Sequence, residues 1–152
     1  MEPWSPITAL LGVALVLLIA YDLLKTVLTV SGGGPVTARV TAWTWRLALR
    51  AATERRDPPD WLAVVGPALA VSTLLVWLTG LWLGWTLVFS GSEAAILESK
   101  DGTPANLVER AYYAGYTLTT LGPGDYAPGG MKWQVATVLA AVNGLFLFTM
   151  AI

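Results

Sequence analysis

Residues 117–126 read TLTTLGPGDY. Threonines, two glycines flanking a proline, and an aspartate stand together in a chain that is 55% hydrophobic and only 12% charged. Acid–base or nucleophilic chemistry is a poor match for them. The chain has no histidine and no cysteine, which removes the commonest general base, the commonest metal ligand, and any disulfide or thiolate metal site. What the stretch offers is oxygen: hydroxyls, backbone carbonyls and one carboxylate. Glycine takes up left-handed backbone without a Cβ penalty, so a ribbon with alternate glycines can point consecutive carbonyls one way. Such oxygens are suited to replacing the water shell of a cation.

The surrounding elements are set by where charge is missing. An ordinary soluble domain carries about 25% charged residues. Here no Asp, Glu, Lys or Arg occurs between Glu2 and Asp22, from Trp61 to Ser92, or from Trp133 to Ile152. About 20 apolar residues cross the hydrocarbon core, so three transmembrane helices are expected. The first run does not read as a secretory signal: its start, Met-Glu-Pro, is not basic and no clear small-residue cleavage site follows. The organisation read from this is an N-terminal transmembrane helix in 1–30, a basic cytoplasmic interfacial helix and linker in 31–60, and a membrane domain in 61–152. That domain comprises an outer helix 61–90, a re-entrant segment 104–126 and an inner helix 131–152.

Arg39, Arg46, Arg50, Arg55 and Arg56 crowd the loop 31–60, which marks it as cytoplasmic. The N-terminus and the loop 93–130 are then extracellular, in a multi-pass protein of the cell membrane. After the breaker SGGGP, residues 36–56 resume a helical pattern. Val36, Val40, Trp43 and Leu47 share a stripe with Arg39, Arg46 and Arg50 beside it, as in a helix lying on the inner membrane surface. The arginine spacing does not suit a voltage sensor, whose arginines repeat within a spanning helix. Trp4, Trp61, Trp85 and Trp133 fall near helix ends, where indole prefers the interface; Trp77 and Trp82 lie deeper, against neighbouring helices. Asp22 and Lys25, three positions apart near the inner end of the first helix, are read either as a functional pair or as an intrahelical pair that snorkels to the interface.

Residues 104–130 are too polar to cross as a helix and return. Thr103 as N-cap and Pro104 at the first position start a short helix, and Leu107, Val108, Ala111, Tyr112 and Tyr116 supply its apolar pattern. Irregular backbone at membrane depth is tolerated only where protein buries it or water fills a cavity. A short helix followed by an extended glycine-rich return therefore implies a pore lining. The helix C-terminus carries partial negative charge, which favours a cation in front of it.

Outer helix, re-entrant helix, TTLGPGD, inner helix: over residues 61–152 this resembles the pore module of the tetrameric potassium channels, whose filter reads Thr-Val-Gly-Tyr-Gly-Asp. Thr119, Thr120, Leu121, Gly122, Pro123, Gly124 and Asp125 occupy the filter places. The resemblance implies an all-α membrane protein assembled as a homotetramer in the lipid bilayer. It also implies a filter in which the carbonyls of Thr120, Leu121, Gly122 and Pro123, with the Thr120 hydroxyl, hold K+. Potassium or other monovalent cations would be the transported ions, with no cofactor. Asp125 would sit at the outer mouth, where a ring of carboxylates concentrates cations. Tyr112 and Tyr113 take the places of the pore-helix aromatics, and Tyr116 that of a residue behind the filter. Gly144 stands nineteen positions after Asp125, as the family's inner-helix hinge does. Leu145, Phe148 and Ile152 then share one face and would line an apolar gate. The other reading of Gly144 is close helix packing. Asn143, polar at mid-membrane, should face the cavity or a neighbouring helix.

Two departures matter. Pro123 replaces the filter tyrosine: its carbonyl remains, its N–H and the phenol are gone, and its φ is fixed near −65°. A non-selective cation channel, or a non-conducting pore-loop subunit, stands as the alternative to potassium conduction, with Tyr116 available as a different brace through its hydroxyl. The inner helix also reaches Ile152 still apolar, so a continuation beyond it is expected. No enzyme is expected, because the acids Asp22 and Asp125 fall on opposite sides of the bilayer. Asp57-Pro-Pro-Asp60 reads as a turn rather than a metal site. Nucleic-acid binding is not expected either, since a membrane surface accounts for the arginines.

Overall fold

The computed structural model describes residues 5–29, 33–53 and 62–150. Trp4, Trp61, Arg55, Arg56, the turn 57–60 and Ile152 lie outside the described residues. The protein is an all-α membrane protein with one small sheet. Its elements are helices α1 (Pro6–Leu28), α2 (Pro35–Thr53) and α3 (Leu62–Phe89), strand β1 (Ile96–Glu98), helix α4 (Leu107–Leu118), strand β2 (Tyr126–Pro128) and helix α5 (Met131–Met150). Among the described residues, three helical stretches are long and apolar enough to span a membrane: Pro6–Leu28, Val65–Phe89 and Met131–Met150. Two compact units are present, Met1–Ala20 with Leu78–Ile152, and Tyr21–Trp77.

In the first unit, α1 lies against the second half of α3 along a seam of small residues. A Cβ on Gly12 would come 2.5 Å from the Val88 backbone nitrogen and 2.6 Å from the Gly84 carbonyl oxygen. One on Gly84 would come 2.8 Å from the Val16 side chain. Only glycine lets the two backbones approach this closely, and with no hydrophobic driving force in lipid such close packing is what joins helices. Thr8 adds a hydrogen bond from its hydroxyl to the Ser90 carbonyl at 3.1 Å. On the far side of α1, Leu10, Leu11, Leu17 and Leu18 are exposed, as lipid-facing residues should be. Trp85, near the end of α3, packs against protein. It is buried beside Phe89, with ring centroids 5.7 Å apart.

The second unit turns on Asp22, whose side chain is fully buried. Its carboxylate accepts from the Val36 N–H at 2.6 Å, the Thr37 N–H at 3.1 Å, the Thr37 hydroxyl, and the Trp77 indole N–H at 2.8 Å. Val36 and Thr37 are the second and third residues of α2, the positions an N-cap side chain normally serves. Asp22 thus caps α2 from another helix. Gly34 precedes that helix because nothing larger fits: a Cβ there would lie 2.2 Å from the Asp22 carboxylate. The pairing of Asp22 with Lys25 is not what forms. Four donors on α2 and α3 saturate the carboxylate, and Lys25 is left exposed.

The segment between α3 and α5 is more ordered than its composition suggested. β1 and β2 pair antiparallel, Ile96 with Pro128, Leu97 with Ala127 and Glu98 with Tyr126, and Leu97 also bridges Pro104. This clasp closes the loop on which α4 is carried.

Candidate functional site

Helix α4 starts at Leu107, not at Pro104. Asn106 is its cap: Asn106 Oδ1 accepts from the N–H groups of Val108 and Glu109 at 2.9 and 3.1 Å, and Glu109 Oε2 accepts from the Asn106 N–H at 2.7 Å. This is a complete capping box. Thr103 caps no helix: its N–H and hydroxyl both donate to Asp101 Oδ1, at 3.0 and 2.9 Å. Pro104 is held in its bridge to Leu97.

Arg110, in the first turn, is fully buried. Its guanidinium donates to four carbonyls: Ala105 at 2.7 Å, Phe89, Ser92 at 2.6 Å and Glu93 at 2.7 Å. Phe89 is the last residue of α3, so Arg110 supplies both charge and donors where the orphan carbonyls and the negative end of that helix dipole lie. Burial pulls the guanidinium pKa down to about 10, against the opposing pull of Glu93 and Glu109. It therefore stays cationic at neutral pH. The start of α4 is in this way riveted to the end of α3.

The other end of α4 leads into the ribbon. Leu118 is its last residue. Thr119 N–H and hydroxyl return to the Gly115 carbonyl at 3.1 and 3.0 Å, and the Leu121 N–H reaches the Tyr116 carbonyl at 2.9 Å. From there φ is positive at every second residue: Thr120 (58°), Gly122 (55°) and Gly124 (85°). For threonine this is a sparsely populated, strained conformation. Residues 119–125 are all exposed in the single chain, Leu121 by 76%. Among the described residues, no hydrogen bond is made to the carbonyls of Thr120, Leu121, Gly122 or Pro123. The next two carbonyls are engaged: Ser99 donates its hydroxyl to Gly124 O at 2.7 Å and its N–H to Asp125 O at 2.9 Å.

Behind the ribbon stands a cuff of tyrosines. The Tyr112 and Tyr113 rings both meet that of Tyr116 edge-on at 5.1 Å, and Tyr112 also meets Tyr126 at 6.2 Å. The Tyr116 hydroxyl donates to the Tyr126 carbonyl at 3.0 Å, and Tyr113 shares a hydrogen bond with the Thr137 hydroxyl of α5 at 2.7 Å. Tyr112 reaches Asp125 Oδ2 at 3.4 Å. A groove of about 560 Å³ opens beside Asp125, with Glu98, Glu109 and Lys100 in its wall. Ser99 and Tyr126 were not singled out from sequence. Their roles depend on the β1–β2 pairing, which no local pattern announces.

Residues 71–152, just over half of the chain, match the protein family described as "Ion channel". The chain belongs to this ion channel family. The match takes in α3 from Val71 onward, α4, the ribbon and α5, and leaves out α1 and α2. The chain is also 34% identical over 122 residues, 80% of its length, to YdjJ of Bacillus subtilis (strain 168), described as an uncharacterised membrane protein. It spans 35% of the length of that relative. No solved structure matches.

In α5, Gly144 is buried against the end of α4. A Cβ there would lie 1.9 Å from the Leu118 carbonyl oxygen and 2.6 Å from its carbon. Close packing is therefore the role the geometry gives this glycine, within an α5 that runs unbroken from Met131 to Met150. Leu145 and Phe148 are exposed in the single chain, and Asn143 is half-buried.

Proposed function

We propose that four copies of this chain meet around residues 119–125 and conduct potassium through the carbonyls of Thr120, Leu121, Gly122 and Pro123. The single observation that carries this reading is those four consecutive carbonyls, free of protein hydrogen bonds, on a backbone that alternates in handedness. Alternation turns successive carbonyls toward one side, and rings of carbonyls substitute for an ion's water. One chain has only one such ribbon, so closing a ring requires further copies. The C-terminal dipole of α4 and the Asp125 carboxylate add negative potential along the path. The positive-inside rule places the arginine-bearing α2 in the cytoplasm and the ribbon at the extracellular side of the cell membrane. Leu145 and Phe148 of α5 then face the inner cavity.

Pro123 favours a second reading, a cation channel of broad selectivity. The tyrosine cuff ties to the backbone of Tyr126 and makes no bond at 123, so the middle of the ribbon lacks the side-chain brace a tyrosine there would give. Liposome flux distinguishes the readings. Barium-sensitive potassium uptake, with sodium excluded, is the expected result. Equal passage of sodium would retain the channel and reject the selectivity, and Pro123→Tyr should then restore it. Well-incorporated tetramers passing no potassium, sodium or rubidium would make the protein a non-conducting subunit. A monomeric or dimeric particle would end the proposal.

A further inference from the structure

The unit Tyr21–Trp77 carries a surface that conduction does not use. On α2, Arg39, Trp43, Arg46 and Arg50 recur at the spacing that places side chains on one helical face, and all are exposed. Thr37, on the opposite face, is buried, while Thr41, Thr44 and Ala48 beside it are half-buried. Trp43 is 66% exposed, and Trp45, Leu47 and Leu49 flank the basic face. No acidic residue occurs within α2. Arg39 and Arg46, with no carboxylate on their own helix, call for an anionic partner, and bare indole and leucine beside them call for one with an apolar part.

The position of the helix narrows the choice. Asp22 fixes residues 36 and 37 by the hydrogen bonds given above, six positions before Leu28 ends the spanning helix α1. That is roughly 9 Å along the axis. Arg39 follows within a turn, its guanidinium donating to the Pro35 carbonyl at 3.4 Å, and in a membrane spanned by α1 a side chain of this length would reach the headgroups of the leaflet in which α1 ends. We propose that the Arg39–Trp43–Arg46 face of α2 is a docking surface for anionic phospholipid of that leaflet. Phosphodiester groups would pair with the guanidiniums, and acyl chains would cover Trp43 and Leu47. This assignment stands whether or not the ribbon conducts.

The test uses the full chain in a neutral detergent, titrated with phosphatidylglycerol or phosphatidylcholine, with bound lipid counted by native mass spectrometry. Phosphatidylglycerol should bind preferentially. A basic residue near an anionic surface contributes about 1 kcal/mol, so R39Q/R46Q should weaken phosphatidylglycerol binding roughly 25-fold. R39K/R46K should hold within about threefold, since Coulomb attraction to a surface is shared by both cations. Lys100→Gln, on the β1–α4 loop, should change nothing. The single variant R46Q, expected about fivefold weaker, serves if the double variant fails to fold. The proposal is overturned if the parent binds both lipids alike, or if a folded R39Q/R46Q binds phosphatidylglycerol as tightly as the parent. It is overturned equally if soluble glycerol 1-phosphate competes as strongly as the lipid.

Discussion

Replacing Gly144 by alanine sets two effects of opposite sign against each other. In a helix interior, alanine is better than glycine by about 0.8–1.0 kcal/mol. Were Gly144 only a flexible point, Gly144→Ala would therefore raise stability. The structure puts the new methyl 1.9 Å from the Leu118 carbonyl oxygen, where ordinary contact begins at 3.4 Å. Either α5 or the end of α4 must then move by about 1.5 Å, and overpacking of this kind costs typically 1–3 kcal/mol. The clashing atoms are backbone, which cannot rotate aside, so the upper part of that range applies and the net change is a loss of about 1–2 kcal/mol. Thr119 and Thr120 follow Leu118 directly, so the displacement enters the ribbon, where a misplacement of even 1 Å is damaging to function. The assay pairs thermal unfolding in detergent with potassium flux in liposomes. The expected result is a lower midpoint and at least tenfold less flux. A variant with a raised midpoint and unaltered flux would refute the close-packing argument.

Arg110→Met should destabilise by on the order of 3 kcal/mol or more, because four carbonyls lose their donor and each buried unsatisfied group costs about 1–3 kcal/mol; Arg110→Lys should recover part of this, and equal unfolding midpoints for parent and Arg110→Met would reject the rivet. Tyr116→Phe keeps the ring contacts but removes the hydrogen bond to Tyr126, so a loss of about 1 kcal/mol is expected. Altered sodium-to-potassium flux ratios should accompany it, measured in the same liposomes; an unchanged ratio would show that the brace does not shape the ribbon.

The three spanning helices were legible because charge-free runs of such length have few alternatives. The oxygen-rich ribbon stood out for a similar reason, since two threonines, alternating glycines, a proline and an aspartate interrupt an otherwise apolar chain. The start of α4 was missed although its signal was present: Asn106 with Glu109 is a capping box, but Thr103-Pro104 offered a competing start. β1 and β2 have three residues each, too few for alternation to show. The fate of Asp22 was not local at all. Its donors come from residues fourteen, fifteen and fifty-five positions away, whereas helical geometry alone pointed to Lys25. Arg110 gave no local signal: nothing in its neighbourhood along the chain reveals that it ends up beneath the close of α3.

The trans-capping of α2 also implies an order of manufacture. Emerging from the ribosome, the chain delivers Asp22 first, its carboxylate satisfied by water alone, and an acid carried into hydrocarbon without donors is severely penalised. Relief arrives with Val36 and Thr37, a short stretch of translation later, and is completed only when Trp77 appears. The nascent first hairpin thus has its own reason to close before the rest of the protein exists.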